Sequence, residues 1–334
     1  MLTSALSENE VKALETYFSA SINEKSYSHN GLSRHGLAIS VNDNLYFIKR
    51  FDDCDDEGLL LEKHVSQLIS RSEQAANLTP KLVANIGALL IYEFVEHQIL
   101  ADINVCLEKK IETTTNRVAL FHQLNKQNIQ RLNIKQTTRD LLASCQFPHR
   151  LNSSLKQYID QLPLSNNDER EVLCHGDLNF ANIIKPLHIE ERDNGEESST
   201  TVNECTFLLI DFESSCVAHP AFDIAMCIAI NRLDRTIALS SLIDIFLNNL
   251  RRFNKSLYGF SYEMVMRYLP YCYLINSLWY FAKAKQRRSS VHRDLAMAQI
   301  EGLTACFKLS QDLVHEMRQE ANKLRLTTMH SATT

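Results

Sequence analysis

His175-Gly176-Asp177-Leu178-Asn179-Phe180-Ala181-Asn182-Ile183-Ile184 is the stretch on which the reading of this chain turns. It is a polar loop with the apolar run Val172-Leu173-Cys174 before it and Ile183-Ile184 at its end, a strand–loop–strand pattern. The loop sets Asp177 and Asn182 five positions apart, where their side chains can converge on one ligand. Asp211 comes 29 positions after Asn182 and closes another apolar run, in Leu208-Leu209-Ile210-Asp211-Phe212-Glu213. Phosphoryl transfer needs this equipment: one carboxylate to take a proton from an attacking hydroxyl, and hard oxygen ligands to hold Mg²⁺ on phosphates.

Upstream of the loop the pattern is mixed. Ser7-Glu8-Asn9-Glu10 has the form of a capping box, followed by Val11, Leu14 and Phe18, and predicts a helix over about 8–20. Leu37–Val41 and Leu45–Lys49 read as strands around the turn Asn42-Asp43-Asn44, with a glycine-containing loop leading in. An acidic loop at 52–58 precedes a helix over 59–71, and 80–83 and 88–95 read as further strands. Beyond residue 100 the periodicity turns helical: Val118, Leu120, Phe121 and Leu124 form one stripe, and Leu151, Leu155, Tyr158 and Leu162 another. Residues 188–203 are polar and acidic and predict an exposed loop; from Phe222 onward the chain reads as helices, down to a frayed tail. The expected fold class is α+β, with a small sheet-rich N-terminal lobe at 1–96, a larger, mainly helical lobe at 97–327 and a tail at 328–334.

Bulk composition excludes several classes. The 334 residues are 45% hydrophobic and 22% charged, ordinary globular values, and the formal net charge of −5 argues against nucleic acid as a partner. No apolar run is long enough for a membrane span; the densest, Tyr268–Ala282, is interrupted by Pro270, Asn276 and Ser277. The N-terminus lacks the basic and apolar regions of a signal peptide, and the nine cysteines are scattered with no CxxC pair. A soluble cytoplasmic protein with reduced thiols is expected.

His175-Gly176-Asp177-Leu178-Asn179-Phe180-Ala181-Asn182 together with Ile210-Asp211-Phe212-Glu213 resembles the catalytic core of the aminoglycoside phosphotransferase and choline kinase superfamily, which shares the protein-kinase fold. The resemblance implies a two-lobed kinase-like architecture using ATP and Mg²⁺. It makes Asp177 the catalytic base and Asn182 and Asp211 the metal ligands, with His175 and Gly176 shaping the loop. Asp223 resembles an aspartate that braces that loop; its other reading is a carboxylate on a helix N-terminus. Lys49 stands where the family has a phosphate-contacting lysine and Glu62 where its ion-pair partner sits; otherwise they are a strand-edge lysine and a surface glutamate. Asn30-Gly31-Leu32-Ser33-Arg34-His35-Gly36 resembles the nucleotide-covering loop, departing from its usual form at Asn30, and offers Gly31 and Ser33 as phosphate contacts. Ile91–Glu96 resembles the inter-lobe hinge, so that Glu93 and Val95 would meet adenine. The polar stretch at 188–203 lengthens the spacing between Asn182 and Asp211 beyond the family's habit.

The acceptor is less legible. Asp211-Phe212-Glu213 has the form found in choline- and thiamine-kinase-like members, and the helical lobe supplies Tyr268, Tyr271, Tyr273, Trp279, Tyr280 and Phe281. Such rings can hold a cationic alcohol by cation–π attraction, with Trp279 and Glu213 as candidate contacts, or they can simply pack the lobe. The expectation is transfer of the γ-phosphoryl group to a small-molecule hydroxyl of the choline or thiamine type. The alternatives are an aminoglycoside or other sugar or amino-alcohol kinase and a catalytically silent nucleotide-binding module. A protein kinase is disfavoured, because no Ala-Pro-Glu segment follows Asp211.

Overall fold

In the computed structural model, described at residues 6–25, 36–51, 56–163, 170–187, 207–307 and 309–330, the chain packs as two compact units. One comprises Met1–Gln127 with Phe180–Ser215, the other Asn128–Asn179 with Cys216–Thr334. The boundary drawn from sequence at residue 96 falls inside the first of these. Gly31, Ser33 and the polar stretch at 188–203 lie outside the described residues.

The first unit is organised by a sheet. Strands β1 (Asn23–Lys25), β2 (Gly36–Val41), β3 (Asn44–Arg50), β4 (Leu82–Ile86) and β5 (Leu89–Glu93) form a five-stranded antiparallel sheet in the order β1-β2-β3-β5-β4. The β2–β3 hairpin closes through Asn42 and Asp43, both at positive φ (47° and 63°), the conformation of the tight turn that follows the strand twist. Helix α1 (Glu8–Phe18) starts at a complete Ser7–Glu10 capping box and ends two residues before the expected 20. Its Leu14 joins Ile39, Val41, Ile48, Leu89 and Ile91 on one face of the sheet.

The strand period of two sends alternate residues to the other face, where Phe51, Leu90 and Tyr92 pack with Leu59 of helix α2 (Asp56–Ser70). Lys49 shares parity with Phe47 and Phe51 and therefore faces α2. The expected strands at 80–83 and 88–95 shift to Leu82–Ile86 and Leu89–Glu93, because Pro80 has no N–H to donate and Gly87, at φ 54°, makes the turn. A second sheet of β6 (His97–Ile99), β8 (Ile183–Pro186) and β9 (Leu208–Leu209), in that order, completes the unit with helix α3 (Leu107–Phe121).

The second unit is mainly helical: α4 (Ile134–Cys145), α5 (His149–Gln161), α6 (Ala221–Ile230), α7 (Leu239–Phe253), α8 (Tyr262–Arg287), α9 (Ser290–Cys306) and α10 (Gln311–His330). A short antiparallel ladder of β7 (Val172–Cys174) and β10 (Cys216–Ala218) sits among them, with Cys174 opposite Cys216. Helix α8 is apolar on most sides and buries much of its length, as a central helix must. Tyr271, Tyr273 and Phe281 are core: the Tyr271 hydroxyl donates to the Leu162 carbonyl at 3.0 Å and that of Tyr273 to Asp234 at 2.7 Å. Among the described residues no helix is long and apolar enough to cross a membrane.

Candidate active site

In the first unit, β3 and α2 bring Lys49 and Glu62 together as a buried ion pair. Lys49 Nζ also reaches Asp211 Oδ1 at 2.6 Å and Glu213 Oε2 at 3.1 Å, residues that follow β9. Glu62 has a second hold, since the Tyr92 hydroxyl donates to its Oε1 at 3.0 Å and itself lies 3.3 Å from Ser66 Oγ. The sequence reading missed Tyr92 and Ser66 in this role. The signal was present: Tyr92 has the β5 parity that faces α2, and Ser66 follows Glu62 by one helical turn.

Burial lowers the proton affinity of the Lys49 ammonium, but Asp211, Glu62 and Glu213 outweigh it and hold its pKa well above the ordinary lysine value. Glu62 is pushed up by burial, pulled down by Lys49 and raised again by Asp211 and Glu213, reaching about 7.

Asn182 ends a single 3₁₀ turn, Phe180–Asn182, and its carbonyl accepts from the Ile210 N–H at 3.0 Å. Pairing of Ile183 with Leu209 therefore sets Asn182 beside the chain that carries Asp211. Asp211 itself has φ 70°, the left-handed region that non-glycine residues rarely occupy and that Asp and Asn tolerate best. Phe212 is buried and stacks on Phe121 at 5.5 Å, which anchors this bend. Carboxylate oxygens of Glu62, Asp211 and Glu213 lie within 4.8 Å of one another. Hard, oxygen-only donors around a cation are a chemistry that fits Mg²⁺.

In the second unit, Asp177 lies on the loop after β7. Its N–H donates to His175 Nδ1 at 3.4 Å and its carbonyl accepts from the Asn179 N–H at 2.8 Å. Asp223, in the first turn of α6 and fully buried, accepts from the His175 N–H at 2.8 Å and the Gly176 N–H at 2.9 Å, one oxygen to each. Asp223 thus occupies both positions read from sequence, the helix N-terminus and the back of the loop. Gly176 has φ 80°, which a side chain would strain. Asn231 adds a bond from its side-chain amide to the Leu178 carbonyl at 3.3 Å. On α8, the buried Tyr280 phenol is raised by burial and further by the charge of Asp177.

The remaining candidates have other partners. Glu93 ends β5 and pairs with Lys81 at 3.3 Å, and the Val95 carbonyl faces His97 Nδ1 at 2.6 Å. Trp279 is half-buried on α8, edge-on to Tyr280 at 5.3 Å, with the Lys283 ammonium 5.6 Å from its ring centre.

The fold recurs among solved structures. Choline kinase LicA from Streptococcus pneumoniae matches at 15% identity with a TM-score of 0.61, over 89% of this chain and all of that one. An ethanolamine kinase from Plasmodium vivax matches at 18% identity and 0.60, over 93% of this chain and 86% of its own. The macrolide 2'-phosphotransferase of Brachybacterium faecium matches at 14% identity and 0.52, over 87% and 97%. No curated protein matches by sequence. The family model described as choline/ethanolamine kinase matches residues 53–245, more than half of the 334-residue chain. With its two-lobed, kinase-like α+β fold, the chain belongs to the choline/ethanolamine kinase family.

Proposed function

We propose that this protein moves the γ-phosphoryl group of ATP to the hydroxyl of a small-molecule alcohol. The observation that carries this reading is the buried Lys49 held by Glu62, Asp211 and Glu213 in a chain that also carries the braced His175-Gly176-Asp177 loop. Asp177 orients the acceptor hydroxyl and takes its proton as the new P–O bond forms; the bond from the γ-phosphorus to its bridging oxygen breaks, and ADP leaves. Lys49 is fixed by Glu62 so that its ammonium meets phosphate oxygens. Asn182 and Asp211 are the ligands for Mg²⁺, with Glu213 beside them. When bound, the ion offsets charge on the phosphates as it is displaced toward the leaving group. Gly31, Ser33, Glu93 and Val95 are the further nucleotide contacts we assign, and His175 and Asp223 support the loop.

LicA has been solved with AMP, which supports a nucleotide as one ligand here. The named relatives support an acceptor of the amino-alcohol class; the form of Asp211-Phe212-Glu213 keeps a thiamine-type alcohol as the alternative, with Trp279 and Glu213 as the candidate contacts of either. We place the protein in the cytoplasm on its scattered cysteines, seven of which are free thiols among the described residues.

Nucleotide binding with Mg²⁺, followed by ATP turnover across a panel of alcohols, tests the proposal. Asp177→Ala is expected to bind nucleotide and to lose roughly two to four orders of magnitude in turnover. Full turnover by that variant would refute the mechanism. Nucleotide binding with no acceptor used would make the protein a silent module instead.

A further inference from the structure

Helix α6 meets the loop that carries Asp177 at both of its ends, and all the residues concerned lie in the second unit. In the first turn of α6, Asp223 accepts the His175 and Gly176 N–H groups, just before Asp177. At the C-cap, Asn231 donates a side-chain N–H to the Leu178 carbonyl at 3.3 Å, just after Asp177. The same amide donates to the Cys227 carbonyl at 2.9 Å, one turn back on the helix, and so ties the loop to the helix end. Asp223 and Asn231 are eight positions apart, about 12 Å along the helix axis. His175 and Leu178 are three positions apart, which spans at most about 10 Å. A buried helix thus holds the loop on both sides of Asp177, with an acceptor where the loop offers N–H and a donor where it offers a carbonyl. Between the two holds, the Asp177 N–H donates to His175 Nδ1 at 3.4 Å and its carbonyl accepts from the Asn179 N–H at 2.8 Å, both within the loop.

The end of α6 is mounted firmly. Arg232, the residue after Asn231, has φ 51°, a left-handed turn that glycine or asparagine usually makes. Its guanidinium donates to Asp234 through Nε at 3.2 Å and Nη2 at 3.4 Å, and Asp234 also accepts from the Tyr273 hydroxyl of α8 at 2.7 Å. Helix α9 closes on this group with a glycine: a Cβ on Gly302 would overlap Tyr273 Cε1 and come within 3.0 Å of Arg232 Nε. One turn earlier on α9, the buried Gln299 donates to the Ala229 carbonyl of α6 at 3.1 Å. A helix that had only to end here could have used glycine. An arginine held in that conformation by α8 and α9 is local strain, and such strain persists where a fixed geometry serves function.

We propose that Asn231 is a positioning residue for phosphoryl transfer: together with Asp223 it makes α6 a two-point clamp that sets the direction in which Asp177 presents its carboxylate to the acceptor hydroxyl. Asn231 acts through the Leu178 carbonyl and not on the reacting atoms. A general base works within hydrogen-bond reach of its proton, so a small rotation of the loop lowers the rate of transfer. Nucleotide binding is spared, because the contacts assigned to it lie in the first unit. The inference rests on the phosphotransferase reading above and adds a residue to it.

The test compares Asn231→Ser and Asn231→Leu with the wild type, each alone and combined with Asp177→Ala. ATP is the donor, and the best alcohol of the panel, which includes choline, ethanolamine and thiamine, is the acceptor. Turnover is counted per nucleotide-binding site, so that unfolded chains drop out. Serine is too short to reach Leu178, but its hydroxyl can still donate to the Cys227 carbonyl four residues back and keep the helix end. Leucine loses both bonds. Asn231→Ser is expected to keep the thermal midpoint and KM for ATP and to lower kcat about three- to tenfold, the scale of one hydrogen bond. Asn231→Leu should lower kcat at least as far, and the midpoint with it. On the Asp177→Ala background, Asn231→Ser should change the residual turnover by less than about twofold, because the group it positions is gone. Normal kcat per site in Asn231→Ser would overturn the proposal and leave the kinase reading standing. An equal loss with and without Asp177 would overturn it too, since the amide would then support the fold at large. Turnover of no alcohol by the wild type would overturn the phosphotransferase reading and this one with it.

Discussion

Asp223→Asn separates two explanations of one buried carboxylate. As a charge near the start of α6, Asp223 would contribute about 0.3–1 kcal/mol through the helix dipole. As the brace of the loop it does more, because each oxygen accepts a backbone N–H, at 2.8 and 2.9 Å, in a fully buried setting. Hydrogen bonds to a charged group contribute about 1.5–3 kcal/mol each. The amide of asparagine can accept only one of these N–H groups, now as a neutral bond, and turns its own NH₂ toward the other. That leaves two donors face to face in the interior, at a cost of about 1–3 kcal/mol. The sum is a loss on the order of 3–5 kcal/mol. Trp279 is the only tryptophan and lies in the same unit as Asp223, so its fluorescence during urea denaturation reports the relevant unfolding. Turnover should fall with stability, on the order of a hundredfold, because the loop that positions Asp177 loses its register. A loss below about 1 kcal/mol with normal turnover would refute the bracing argument and leave the dipole as sufficient.

Three further outcomes follow from the structure. Glu62 titrates at about 7 in the fold against an ordinary 4.5, so the folded chain holds a proton across that interval which the unfolded chain has released. Its contribution is therefore full below pH 4.5 and is lost as pH rises through 7, by about 3 kcal/mol, and Glu62→Gln should flatten that decline; an unchanged pH–stability curve would sink the assignment. Tyr92→Phe removes the hydroxyl that donates to Glu62 at 3.0 Å and should cost about 1–2 kcal/mol while raising KM for ATP. Stability equal to wild type would show that the hydroxyl contributes nothing. Alkylation at pH 8, mapped by peptide mass spectrometry, should mark exposed Cys106 well before Cys145, whose burial pushes its thiol up to about 12. Equal rates at the two positions would contradict the burial.

What could be read from sequence was what depends on near neighbours. The Ser7–Glu10 capping box, the Asn42-Asp43 hairpin and the strand–loop–strand around His175–Ile184 are set by residues a few positions apart, and local rules reach that far. The parity that turns Lys49 toward α2 was equally open to reading. Contacts made across the chain were not. Nothing local says that Cys216–Ala218 will lie along Val172–Cys174, or that Asp211, 162 positions from Lys49, will share its ammonium with Glu62. The aromatic run of α8 was ambiguous for another reason. A helix apolar on most sides has no stripe to orient it, so the core positions Tyr271 and Tyr273 and the half-buried Trp279 look alike on paper. Only the partners of each side chain tell them apart.

The backbone of Asp211 constrains how this protein could drift. At φ 70° most side chains are disfavoured by roughly 1 kcal/mol or more, whereas glycine and asparagine enter that region easily. Relaxed selection on phosphoryl transfer would therefore not sample position 211 evenly. A duplicated copy that kept its shape while abandoning its chemistry would pass most readily through Asn or Gly there, and a bulky or β-branched residue would arrive only with the bend before Phe212 already remodelled. Geometry that serves a working enzyme thus also sets the mutational route by which it could fall silent.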